Sequence, residues 1–156
     1  VGSSMGGWLM MLAARSRKKK VCGLIGLAAA PDFGNDLYAS LKKKTKEDLK
    51  KNGSVKYFWN KNSSYILTNK FFLHAKKNKI FRKKFYFTKP IILIHGLKDK
   101  VVKLEVPKKI MKVSMSKNTK ILYLKNSDHR LSSINDIKCI TSSIDLIRKI
   151  NNPKQF

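Results

Sequence analysis

Acidic side chains are scarce in this chain. Only 9 Asp and Glu stand against 35 Lys and Arg in 156 residues, leaving a formal charge of +26. An excess of that size raises nucleic acid or an anionic membrane surface as partners. Arg is rare too, so nearly all of the excess is Lys, scattered through the chain rather than gathered in one block. Planar, bidentate phosphate contacts would favour Arg. Zinc-finger spacing, a P-loop and a ribonucleoprotein-type aromatic motif are all missing. The charge therefore reads as the Lys/Asn/Ile-rich bias of a genome, and no specific nucleic acid is expected. Cysteine is equally sparse. Cys22 and Cys139 are far apart and form no CxxC or metal-ligand pattern. Neither a metal nor an organic cofactor is expected. Both thiols fall in apolar segments and are expected as reduced core groups in a cytosol-like compartment, cytoplasmic or, in a eukaryote, matrix-like in the mitochondrion. No transmembrane run or signal peptide is expected.

What is present begins at once. Gly2-Ser3-Ser4-Met5-Gly6 has the G-x-S-x-G spacing of a nucleophile elbow centred on Ser4. A serine lifted out of a strand-to-helix turn occupies strained backbone space, so its neighbours two residues away must be very small. Gly2 and Gly6 meet that need, with Gly7 adding clearance. The apolar run from Trp8 to Ala14 then reads as the helix that leaves the elbow. Its N-terminus would bring backbone N–H groups and a positive dipole end to Ser4. An elbow needs a strand before it, and only Val1 precedes this one. The chain, which has no initiator Met, is therefore expected to be an N-terminally truncated, partial domain spanning 1–156.

Further along, Arg15 to Lys20 is a basic run that suits a solvated helix end. Val21 to Ala30 is continuously apolar and reads as a buried strand of a parallel sheet. From 35 to 88 the texture changes, with 15 Lys and Arg against 3 Asp and Glu, many aromatics and no buried-strand pattern. Helices are expected from Asp36 to Lys51, stopped by Asn52-Gly53, and from Ser64 to Arg82. The segment 35–88 reads as a helical cap insertion whose rings either line an acyl pocket or fasten the cap. The sheet pattern returns at Ile91–His95, followed by a helix over Leu104–Ser114 with Pro107 in its first turn. A strand follows over Thr119–Leu124. Ser133-Ile134-Asn135-Asp136 resembles a capping box. It opens a last helix striped by Ile137, Ile140, Ile144, Ile147 and Ile150 and stopped by Asn151-Asn152-Pro153.

Alternating strands and helices give an α/β fold: a parallel sheet flanked by helices. Function in such sheets collects in loops at the strands' carboxyl ends. Ser4, Asp99 and His129 all fall there, 95 and then 30 residues apart. Serine, acid, histidine is the order of α/β-hydrolase triads. Ser4 would be the nucleophile, His129 the general base and Asp99 the orienting acid. The N–H of Met5 would supply an oxyanion donor. Asp32, after the Val21–Ala30 strand, is a rival acid. Asp128 is too close to His129 in sequence to orient it easily. His95 reads as structural, and His74 as a cap residue with no chemical task.

The segments GSSMGGWLMMLAA, CGLIGLAAAPDF, ILIHGLKDKVV and KNSDHRLS together resemble the α/β-hydrolase group of the mitochondrial acyl-protein thioesterase, which also cleaves acyl glucuronides, and its bacterial relatives. The likeness runs from the elbow to the last helix and is weakest in the cap. It implies the C-terminal portion of an α/β-hydrolase fold. It also implies a serine esterase or thioesterase working through an acyl-enzyme on acyl esters or thioesters, S-acylated proteins among them. The group's triad falls on Ser4, Asp99 and His129. The strands and oxyanion loop before the elbow are absent from this chain, and the expectation is that it turns over weakly or not at all. The alternative is a non-catalytic basic module, binding nucleic acid or anionic lipid on a decayed hydrolase scaffold.

Overall fold

The computed structural model describes residues 1–60 and 63–152, without the side chains of Trp59 and Asn60; Pro153, expected to help stop the last helix, lies outside the described residues. Two compact units are present: Val1–Pro31 together with the chain from Ile80 onward, and Asp32–Lys79.

The first unit is built on a parallel sheet of four strands. In their order across the sheet these are β1 (Gly2–Ser3), β2 (Leu24–Leu27), β5 (Ile91–Gly96) and β6 (Thr119–Leu124). Helices α1 (Met5–Ser16), α5 (Val106–Val113) and α6 (Ile134–Asn151) connect or follow them. Every residue of β5 is buried. Its side chains alternate between two packed faces. Ile92 and Ile94 join Ile25 and Ile147 in one core, against which Ile140 and Ile144 of α6 also pack. On the other face Gly26 lies beside Leu93 and Met10 of α1. The expected isoleucine stripe is only partly inward: Ile137 and Ile150 are exposed. Met11 and Ala14 carry the buried side of α1. Arg15 sits in its last turn, and Lys18–Lys20 follow as an exposed 3-10 turn, as a solvated helix end should.

Strand β2 is shorter than the apolar run that contains it. Only Leu24–Leu27 pairs, because Ala28 turns out of the strand at φ 43°. Cys22 lies ahead of the strand and is exposed, not in the core, while Cys139 is partly buried; both are free thiols.

The second unit departs most from expectation. The helix read over Asp36–Lys51 is two helices, α2 (Phe33–Ser40) and α3 (Lys43–Asn52). Leu41 between them is extended and buried with Leu49 and Leu67, so it anchors the unit's small core instead of continuing a helix. Gly53 ends α3 at φ 72°, the left-handed conformation for which glycine is suited. The helix read over Ser64–Arg82 is a strand, β4 (Ser63–Thr68), followed by α4 (Asn69–Lys77). Strand β4 pairs antiparallel with β3 (Ser54–Asn60), setting Leu67 opposite Val55 and Tyr65 opposite Tyr57. Thr68 makes the boundary, since its hydroxyl caps the helix by accepting from the Phe71 N–H at 3.0 Å. Only one side of this hairpin meets a core, which is why no buried-strand run marks it. Residues 80–88, read with the insertion, belong to the first unit, where Phe85 and Phe87 are buried and stack on each other.

Two local arrangements hold the framework for the site. A Cβ on Gly7 would collide with Ala29, whereas one on Gly6 would meet nothing within 4 Å among the described residues. Close approach of α1 to the β2 end therefore needs Gly7, not Gly6 as the motif suggested. At α6, Ser133 accepts from the Asp136 N–H and the Asp136 carboxylate accepts from the Ser133 N–H, the expected capping box. The same buried carboxylate takes the Ser127 hydroxyl, tying the loop after β6 to α6. Burial pushes the Asp136 carboxyl up, but the donors from Ser127 and Ser133 outweigh it and hold it below the usual aspartate value.

Gly7→Ala is expected to cost about 1–3 kcal/mol and Gly6→Ala to be neutral or stabilising. Urea unfolding checks this, and equal losses would refute the packing assignment. Asp136→Ala is expected to cost about 1–3 kcal/mol near neutral pH. A carboxyl depressed on folding stabilises above its unfolded value of about 3.9 and loses that contribution as pH falls through its lower folded value. The deficit of the variant should therefore shrink in acid. A deficit that stays constant from neutral pH to strongly acid pH would contradict it.

Candidate active site

Ser4 stands between β1 and α1 at φ 50° and ψ −119°, backbone space that a non-glycine residue adopts only under constraint. The constraint is visible. The Ser4 N–H donates to the Leu27 carbonyl at 2.9 Å, and the Ser4 carbonyl accepts from Gly7 and Ala30 at 3.0 Å each. Gly2 is required by the same turn, because a side chain there would run into the backbone of Gly6 and Gly7. The N–H of Met5 is the first of α1, one of the donors that intrahelical bonding leaves over at a helix start.

Asp99 lies in the turn after β5. Its Oδ1 accepts from the N–H groups of Val101 (2.7 Å) and Val102 (2.9 Å). Its side chain is wholly shielded from solvent, while that of His129 retains 23% exposure. Burial alone would raise this carboxyl. The Val102 N–H, the His129 ring N–H, the Val101 N–H and the charge of His129 together overcome it and hold Asp99 below the usual value.

His129 comes from the loop after β6. The chain brings it within 2.9 Å of Asp99 Oδ2 through Nδ1 and within 3.1 Å of Ser4 Oγ through Nε2. The polarity of the two bonds follows from their partners. An ionised carboxylate can only accept, so Nδ1 carries the proton; Nε2 then accepts, and the Ser4 hydroxyl donates. Gly96 lets the two loops meet, since a Cβ there would strike the carbonyls of Ser127 and Asp128. The Lys98 N–H donates to the Ser127 carbonyl at 3.0 Å across the same seam.

Ser4, Asp99 and His129, predicted from three separate loops, are thus in one hydrogen-bonded chain within the first unit. The other candidates make different contacts. Asp32 belongs to the second unit, at the N-terminus of α2 with φ 62°. Asp128 accepts from the Arg130 N–H at 2.8 Å, a turn contact. His74 is exposed on α4. His95, read as structural, is fully buried with Nε2 3.2 Å from Asp99 Oδ2. Sequence alone gave that contact only one signal, the four-residue spacing to the acid.

No family model matches the chain. It is 32% identical over 154 residues to the palmitoyl-protein thioesterase ABHD10, mitochondrial, of Rattus norvegicus, covering 97% of this chain and 52% of that protein. The solved structure of mouse alpha/beta hydrolase domain-containing protein 10 superposes with a TM-score of 0.82 at 31% identity, over 96% of this chain and 61% of that one. A putative hydrolase from Agrobacterium vitis S4 shares the fold at a TM-score of 0.84 and 23% identity, over 94% and 59% of the two chains. The chain thus spans about half the length of the curated relatives it matches. The parallel sheet flanked by helices, shared with these relatives over nearly the whole of this chain, is that of a partial α/β-hydrolase fold, and the chain is related to ABHD10.

Proposed function

We propose that the chain carries the triad of a serine hydrolase cleaving acyl esters or thioesters, with Ser4 as nucleophile, His129 as general base and Asp99 as its orienting acid. The observation that carries this reading is the single imidazole of His129 bridging Ser4 Oγ at 3.1 Å and Asp99 Oδ2 at 2.9 Å. As Ser4 Oγ attacks the acyl carbonyl carbon, Nε2 of His129 takes the hydroxyl proton. The imidazolium so formed is stabilised by Asp99, whose carboxyl the N–H donors of Val101, Val102 and His129 hold below its usual value. Negative charge moves to the carbonyl oxygen, where the Met5 N–H at the start of α1 is a donor. One such donor contributes about 3–4 kcal/mol in the transition state. Collapse expels the thiol or alcohol, which receives the proton from His129. Water, activated by the same base, then releases the acid from Ser4.

The relatives' names support S-acylated proteins as the substrate class and, of the two compartments expected, the mitochondrial one. Residues 35–88 remain the proposed cap insertion. No helix among the described residues is long and apolar enough to cross a membrane.

A fluorophosphonate probe is expected to label the protein at Ser4, and Ser4→Ala to abolish labelling. Undiminished labelling of Ser4→Ala would sink the assignment. Asp99→Asn is expected to slow labelling by on the order of 10⁴-fold, because an amide no longer fixes the tautomer of His129. An equal slowing by Asp32→Asn, with Asp99→Asn silent, would transfer the acid's role to Asp32.

A further inference from the structure

One buried histidine has no part in these steps. His95 lies in β5, and its side chain is wholly inaccessible. Its Nε2 is 3.0 Å from the Val102 carbonyl and 3.2 Å from Asp99 Oδ2. Both partners can only accept, so the ring proton sits on Nε2. Nδ1 is buried without a hydrogen-bond partner, and a proton placed there would have no acceptor. The other face of this role is geometric. Val102 gives its N–H to Asp99 Oδ1 and its carbonyl to His95, so the ring closes the acid-bearing turn back onto β5.

A group needed only to fill the strand end would be served by another aliphatic side chain, as Ile91 to Ile94 are. Instead an N–H is aimed at the oxygen that His129 also uses, at 2.9 Å. Few other charges face this trio. From β6, Tyr123 tilts against the His95 ring at 6.4 Å, and its hydroxyl donates to the Leu104 carbonyl. Glu105 is the charge that Tyr123 senses. From the β1–α1 turn Ser4 reaches His129. Lys98, Lys100, Lys125, Asp128 and Arg130 share the loops but are exposed.

We propose that His95 is a positioning residue for the Asp99–His129 pair, its Nε2–H taking up part of the charge on Asp99 Oδ2 and so setting how firmly that oxygen holds a proton on His129. With the donor gone, Oδ2 carries more negative charge toward His129, and the imidazolium persists to higher pH. The catalytic meaning of this rests on the hydrolase reading, but its test need not.

Ring 15N NMR of the whole chain separates the two. In the unmodified protein His95 is expected as the Nε2–H tautomer, and an Nδ1–H tautomer would overturn the proposal without any variant. In His95→Leu the titration midpoint of His129 is expected to rise by about half to one pH unit. His95→Gln, which returns an N–H near the Nε2 position, is expected to restore it. A midpoint unmoved in a folded His95→Leu, or moved equally by both variants, would refute it. Failure of fluorophosphonate labelling would instead remove the hydrolase reading and leave the titration result standing.

Discussion

The site depends on the in-register parallel pairing of four strands. Ser3 is level with Leu27, Leu27 with Ile94, and Ile94 with Leu122. Parallel strands that end at one level release their loops at one edge. The serine turn, the acid turn and the histidine loop therefore share an edge although Ser4 and His129 are 125 residues apart. The pairing is itself secured by side chains on both faces of β5, each apolar one contributing about 1.5–3 kcal/mol on burial. Hydrophobic packing sets the positions, and hydrogen bonds then set the angles.

Those angles are held against local preference. Ser4, Ala28 and Leu131 all sit at positive φ without being glycine. Ser4 and Leu131 flank the site on its serine and histidine sides, and Ala28 ends β2 beside the strand termini. Each such residue costs of order 1–3 kcal/mol unless its surroundings over-determine it. At Ser4 the surroundings do so with three backbone hydrogen bonds. At Leu131 the side chain is buried in the main core. Strain of this kind accumulates where loops must present a side chain rather than merely connect strands.

What could be read from sequence follows from the same physics. Strand β6 and the capping box of α6 were legible to the residue, because a one-dimensional pattern specifies them. Order along the chain and placement after strands were enough to bring Ser4, Asp99 and His129 forward as a set. The β3–β4 hairpin was not legible. Ile66 and Leu67 fall roughly in line with Phe71 and His74 on a helix, and the unit's core is too small to impose a clear strand period. Gly6 was over-read because the motif names it, whereas only spatial contacts reveal that Gly7 is the glycine pressed against Ala29. The His95 contact was hidden for a related reason. A histidine in an apolar strand looks like packing until the turn beyond it is folded back.

The meeting of backbones at Gly96 has a mechanical consequence. Because carbonyls of Ser127 and Asp128 occupy the space a side chain would need, the acid loop and the histidine loop cannot slide past one another independently. The loops that carry two members of the proposed triad, Asp99 and His129, are thus locked at one seam. The coordinate left free is the separation between that seam and the start of α1, spanned by the bond from Ser4 Oγ to His129. The length of that bond is in this sense a gauge of how the start of α1 sits on its sheet.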